Sequence, residues 1–113
     1  MDCIFCKIVK KEIFSEFVLE SSDLVCVNDI NPKAPIHILI VSKAHIPSVK
    51  DLNIENSKIA GEMIFAAKKI AADKNLEGYK LIFNVGRKGG QVIDHLHLHL
   101  LGGWPDAPGK VEV

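Results

Sequence analysis

The 113-residue sequence predicts an α+β fold built on an antiparallel sheet. Three observations point there. One segment, Ser57 to Lys74, carries apolar residues at helical spacing. Five shorter segments read as strands and lie before and after it. The repeated strand–helix alternation of a doubly wound parallel sheet is missing.

Cys3 to Lys11 reads as a short helix. Phe17–Glu20 and Leu24–Asp29 are strands around the turn signal Ser21-Ser22-Asp23. Asn31 to Pro35 is a loop, because the residue before each proline is pushed out of helical geometry. Ile36–Ser42 is a strand rich in β-branched residues. In the long helix, Ile59, Met63, Ile64, Ala67, Ile70 and Ala71 form the apolar side, opposite Lys58, Glu62, Lys68, Lys69 and Asp73. Tyr79–Val85 and His95–Leu101 are the last strands, separated by the flexible turn Gly86-Arg87-Lys88-Gly89-Gly90. An irregular tail follows Gly102-Gly103. No repeat or linker divides the chain, so residues 1–113 read as one domain.

Composition narrows the function classes. With 48% apolar residues the chain can bury a core. Fourteen basic and fourteen acidic residues cancel and are scattered. A polynucleotide binder needs a basic face for phosphate, so no nucleic-acid partner is expected. No apolar run approaches a membrane span, so no membrane partner is expected either. The first residues lack the basic-then-apolar pattern of a secretory signal, which leads to the expectation of a cytoplasmic protein.

The strongest chemical signal is His95-Leu96-His97-Leu98-His99-Leu100-Leu101. Strand side chains alternate with period two, so the leucines share one face and the histidines the other. The leucines would pack on the long helix, and the histidines would converge on a ligand. A lone histidine there would be an ordinary polar side chain; three in alternation favour a site. Spacing alone does not separate a metal site from phosphoryl chemistry, since both use imidazole. Upstream, Asn84 to Gly90 offers glycines that let backbone N–H groups wrap an anion, although by themselves they also suit a hairpin turn. Cys3-x-x-Cys6 is open to three readings: half a metal site, a redox pair, or two buried small side chains.

Taken together, these motifs resemble the histidine triad family, in its nucleoside phosphoramidate hydrolase branch. Besides the triad, Ile4-Phe5-Cys6-Lys7-Ile8 with Lys11-Glu12-Ile13 resembles the family's N-terminal segment. Asn28 to His37 resembles its ribose-binding loop and following strand, and Gly89-Gly90-Gln91 precedes the triad. Leu101-Gly102-Gly103 follows it as in the phosphoramidase branch, in place of the proline ending of diadenosine polyphosphate hydrolases.

The resemblance implies roles residue by residue. His97 would be the nucleophile that takes the nucleotidyl group. His99 would hydrogen-bond the phosphate or leaving atom, and His37 would face the phosphate. Asn84, Gly90 and Gln91 would belong to the phosphate-binding stretch, and Asp29 would hold the ribose. Phe5, Ile8, Ile13, Val27 and Ile30 would line the base pocket, positions that otherwise read as core. Val92 stands where the family often has a hydroxyl residue, leaving only its backbone N–H to contribute.

With His37, His97 and His99 assigned to chemistry, His45 and His95 remain. Bacterial triad proteins and related galactose-phosphate uridylyl transferases carry a zinc at corresponding positions. The resemblance therefore implies a closed, structural Zn²⁺ site of Cys3, Cys6, His45 and His95, and no catalytic metal. It also implies a purine nucleotide substrate and a homodimer with its sheet extended across two copies, Trp104 matching aromatics that approach the partner's site. The alternatives are a diadenosine polyphosphate hydrolase, a nucleotide-binding regulatory protein with weak catalysis, and a metal-binding structural module.

Overall fold

The computed structural model describes residues 3–113. Two helices are joined to five strands. Helix α1 is Ile4–Val9 and α2 is Lys58–Asp73. The strands are β1 Phe17–Glu20, β2 Leu24–Asn28, β3 Ile36–Ser42, β4 Tyr79–Ile82 and β5 His97–Gly102. All sheet neighbours are antiparallel, in the order β1-β2-β3-β5-β4. The expected α+β class and its antiparallel sheet are therefore present.

Register decides which side chains share a face. Ile38 pairs with Leu100 and Ile40 with Leu98, whereas Leu39 pairs with His99 and Val41 with His97. Leu96, Leu98 and Leu100 are buried with Ile38 and Ile40 against Met63, Ala67, Ile70 and Ala71 of α2. The opposite face holds Val25, Val27, Leu39 and Val41 beneath Phe5 and Ile8 of α1. The sheet thus has a leucine side sealed by the long helix and a histidine side partly roofed by the short one.

Several boundaries differ from the sequence expectation. Helix α1 is shorter, with Cys3 as its N-cap, and it ends where Lys11 adopts φ 63. There the Glu12 N–H reaches back to the Lys7 carbonyl at 2.9 Å, a left-handed stop that composition does not announce. Ile64 belongs to the helical pattern but is 46% exposed, so the buried stripe of α2 is narrower than expected. Strand β4 ends at Ile82, before Asn84. The glycine turn contains one 3₁₀ turn, Arg87–Gly89.

The largest correction concerns His95, which precedes β5 and lies outside it. The ladder with β3 ends at the Val41–His97 pair. The Leu96 N–H goes instead to the Ile46 carbonyl at 2.6 Å, and the His95 N–H to the Ile93 carbonyl at 2.9 Å. Only His97 and His99 of the three share the strand's alternation. No helix among the described residues is long and apolar enough to cross a membrane.

Candidate active site and metal cluster

Hydrogen bonds fix where each imidazole carries its proton. His97 Nδ1 lies 2.7 Å from the His95 carbonyl. A carbonyl only accepts, so Nδ1 is the protonated nitrogen and Nε2 keeps a free lone pair. The Phe5 ring meets the His97 ring edge-on at 5.0 Å and helps hold it. His97 is buried to 8% exposure, and burial lowers its pKa below the ordinary imidazole value. It is therefore a neutral, oriented imidazole with Nε2 unprotonated.

A second chain of bonds starts in the loop before β3. The Lys33 N–H donates to His37 Nδ1 at 3.0 Å, which places the His37 proton on Nε2. That Nε2 donates to His99 Nδ1 at 2.9 Å. His99 must then carry its own proton on Nε2, the nitrogen left over. His97 thus presents a lone pair, and its neighbour, with ring centroids 5.1 Å apart, presents an N–H donor. Burial, followed by the neighbouring His97 and His37, pushes the His99 pKa down to about 4. His37 is also lowered, chiefly by burial, against the pull of Asp29.

Asp29 lies just past β2. Its Oδ1 accepts the Asn31 N–H at 2.8 Å, and its Oδ2 is 3.5 Å from His37 Nε2. Asp29, His37 and His99 are therefore one group, with the carboxylate at its solvent side.

The other expected nucleotide residues divide into buried and exposed sets. Phe5, Ile8 and Val27 are buried together on the histidine side of the sheet. Ile13 is partly exposed, while Ile30 and Val92 stand in solvent. A cavity of about 570 Å³ is lined by Ile8, Ile13, Phe14 and Phe17, with Glu12 and Glu16 at its rim. Sequence reasoning missed Phe14, which is 91% exposed there; its one signal was an aromatic placed directly after Lys11-Glu12-Ile13.

The glycine turn differs most from expectation. The Gly90 N–H bonds the Arg87 carbonyl at 3.0 Å, and the Gly89 and Gln91 N–H groups both bond Gly86. Gln91 is a brace: its Oε1 accepts the Gly86 N–H at 2.9 Å, and its Nε2 donates to Pro47 and Ile93 carbonyls at 2.7 and 2.9 Å. Arg87 is held by Asp94 at 2.8 and 2.9 Å. Asn84 Nδ2 meets the Val113 main-chain oxygen at 3.1 Å, and the Val92 N–H has no hydrogen-bond partner among the described residues.

The remaining histidines meet the cysteines. His95 Nε2 donates to the Ser42 carbonyl at 2.6 Å, so its Nδ1 is a bare lone pair. That Nδ1 faces Cys3 Sγ at 3.3 Å, Cys6 Sγ at 3.6 Å and His45 Nδ1 at 3.1 Å. Cys6 Sγ lies 3.2 Å from His45 Nδ1. Tetrahedral zinc, with Zn–N of about 2.0–2.1 Å and Zn–S of about 2.3 Å, places its ligands roughly 3.3–3.8 Å apart. The donor set suits such an ion, and the separations of 3.1–3.6 Å lie within or slightly inside that range. The Cys6 N–H also points at Cys3 Sγ at 3.4 Å. Cys26 takes no part: it is fully buried, and burial pushes its thiol up to about 11.

Residues 2–111 match the family model described as scavenger mRNA decapping enzyme C-term binding. The chain is also similar to the purine nucleoside phosphoramidase of Escherichia coli (strain K12), 43% identical over 109 residues, spanning 95% of this chain and 92% of that protein. The chain belongs to the histidine triad family. Two solved structures of this family show the same architecture. A histidine triad protein from Clostridium difficile superposes with a TM-score of 0.91 at 40% identity, covering 97% of both chains. A HIT family hydrolase from Legionella pneumophila gives 0.87 at 43% identity, covering 92% of this chain and 98% of that one. The triad histidines of this member thus split their work: His97 and His99 face the candidate reaction centre, and His95 serves the cysteine cluster.

Proposed function

We propose that this histidine triad protein hydrolyses purine nucleoside phosphoramidates, or related nucleotide conjugates, at the α-phosphate. The carrying observation is the His97 ring, locked through Nδ1 onto the His95 carbonyl so that Nε2 is a free nucleophile. The Nε2 lone pair attacks phosphorus as the P–N bond breaks, and the nitrogen departs as an amine with a proton from solvent. Water then attacks phosphorus, the bond to His97 breaks, and the proton returns to solvent. His99 Nε2–H steadies the charge on the phosphate oxygens during both steps. Asp29 receives the ribose, and the cavity beside Ile8 and Ile13 has room for a base.

Zn²⁺ is the metal we assign to Cys3, Cys6, His45 and His95. Four protein ligands close the site, so the ion supplies folding energy and no open coordination position. A cytoplasmic setting suits this set, because thiols stay reduced there. We also infer a homodimer. Strand β4 is a sheet edge, and its Tyr79 and Leu81 are each 37% exposed, with exposed Ile64 on α2. An apolar edge of this kind needs covering. Leu81→Asp should halve the mass measured by sedimentation.

The second reading, a nucleotide-binding regulatory protein, draws on Val92, which brings no hydroxyl to the phosphate. Incubating wild type and His97→Ala with an adenosine phosphoramidate, and following release of the monophosphate, separates the two. Turnover lost in the variant supports the hydrolase. Binding of adenosine monophosphate without turnover supports the regulatory protein. A faster reaction on diadenosine polyphosphates would move the assignment to that branch.

A further inference from the structure

Cys3 and Cys6 are a dithiol as well as half of a ligand set. Both are free thiols, three residues apart, and their sulfurs belong to a group of donor atoms that all lie within 4.8 Å of one another. The Cys6 N–H points at Cys3 Sγ at 3.4 Å, so the backbone brings the second cysteine onto the first sulfur. A pair so placed can close into a disulfide when an exchange partner reaches it.

Access is uneven. Cys3 and His95 are buried, whereas Cys6 and His45 are half-buried and form the open side of the cluster. Cys26 is fully buried, and its thiol is pushed up to about 11. Of the three cysteines, Cys6 alone is not buried.

We propose that Cys3 and Cys6 are a reversible oxidation site for small disulfides, whose closure empties the metal cluster and loosens His97. This rests on the Zn²⁺ assignment made above. The Cys6 thiolate attacks one sulfur of the small disulfide, whose S–S bond breaks, and a first thiolate leaves. The Cys3 thiolate then attacks Cys6 Sγ in the mixed disulfide, the Cys3–Cys6 bond forms, and a second thiolate leaves. Two electrons pass from the protein to the small disulfide, and both leaving thiolates take protons from solvent. The product has lost two thiolate ligands at once, and His45 and His95 alone do not complete a tetrahedral site.

The effect reaches His97 by two routes. Phe5 lies between the two cysteines in sequence, and its ring meets that of His97 at 5.0 Å. The His95 carbonyl holds His97 Nδ1 at 2.7 Å, and after closure the buried His95 Nδ1 faces a neutral disulfide in place of a ligand set.

The test incubates the zinc-loaded protein with oxidised glutathione at neutral pH. It follows zinc freed to a chromogenic chelator, the mass of each cysteine peptide, and the NMR signal of the His97 Nδ1 proton. One zinc should be freed for each disulfide formed, the Cys3–Cys6 peptide should lose the mass of two hydrogens, and Cys26 should stay reduced. The His97 signal should move or broaden, and a dithiol reductant with added zinc should reverse every change. Cys6→His keeps four ligands without the dithiol, so it should retain zinc under the same treatment; the wild-type readouts decide alone if it does not load. Zinc retained by an oxidised Cys3–Cys6 pair, a lasting glutathione adduct without closure, or Cys26 oxidised as readily overturns the proposal. Zinc freed with an unmoved His97 signal overturns the link to His97. Untreated protein without zinc fails the metal assignment, and the proposal falls with it.

Discussion

The His95 carbonyl accepts the His97 Nδ1 proton at 2.7 Å, while the His95 ring stands 3.3 Å from Cys3 Sγ. One residue thus touches His97 with its backbone and the cysteine cluster with its side chain. Metal removal should be felt first as lost stability, then as a loosened His97. At metal concentrations about 1,000-fold above Kd, binding adds about 4 kcal/mol, so a strong chelator should lower Tm by roughly 15 °C. Metal analysis of the untreated protein should give one zinc per chain. An unchanged Tm in a chelated, metal-free protein would remove the ion from the fold.

His97→Ala should lower turnover by roughly 10⁴-fold or more, because no second group offers a lone pair in its place. Binding of adenosine monophosphate should survive within a fewfold. Rapid-quench trapping of a nucleotidyl-protein adduct in wild type, absent in the variant, checks the same point chemically.

Stability should depend on pH in a defined direction. His99, with its pKa pushed down to about 4, is neutral when folded but gains a proton near 6.5 when unfolded. Between those values the unfolded chain binds more protons, so stability rises with pH and is complete above about 6.5. His37 is shifted in the same direction by burial. Denaturant titrations should show loss on acidification from pH 6.5 toward 4, at up to about 1.4 kcal/mol per pH unit for His99 alone. A flat profile across this window would contradict the buried, neutral imidazole.

Gly103 follows β5 with φ +89, and a Cβ there would stand 3.1 Å from Pro35 Cβ and 3.3 Å from Ile36 Cγ1. Gly103→Ala should cost about 1–3 kcal/mol through backbone strain and this contact. At Gly102 the nearest atom, 2.9 Å away, is the movable end of Leu76, so Gly102→Ala should cost less. Urea midpoints of the two variants test the order. Gly103 is thus a backbone and packing requirement here.

The period-two pattern of β5 and the helical spacing of α2 made the leucine–helix interface legible in the sequence, since both follow from local geometry. His97 and His99 were legible for the same reason. His95 was misplaced on the strand because the bonds that divert its neighbourhood come from Ser42 and Ile46, distant in sequence. Gln91 was expected at the nucleotide, but its carboxamide is committed to Gly86, Pro47 and Ile93. Such commitments depend on which backbone groups the fold leaves unpaired, which one-dimensional pattern does not record. The Val113 contact with Asn84 was invisible for the same reason.

The alternation of β5 makes the protein intolerant of a frameshift in space. Sliding that strand by one residue past β3 would turn Leu98 and Leu100 toward the reaction centre and drive His97 and His99 into α2. Chemistry and core would fail in the same event. A single-residue insertion between Leu98 and His99, inside the ladder with β3, should therefore leave no folded but inactive species to isolate, whereas a two-residue insertion restores the parity of the faces.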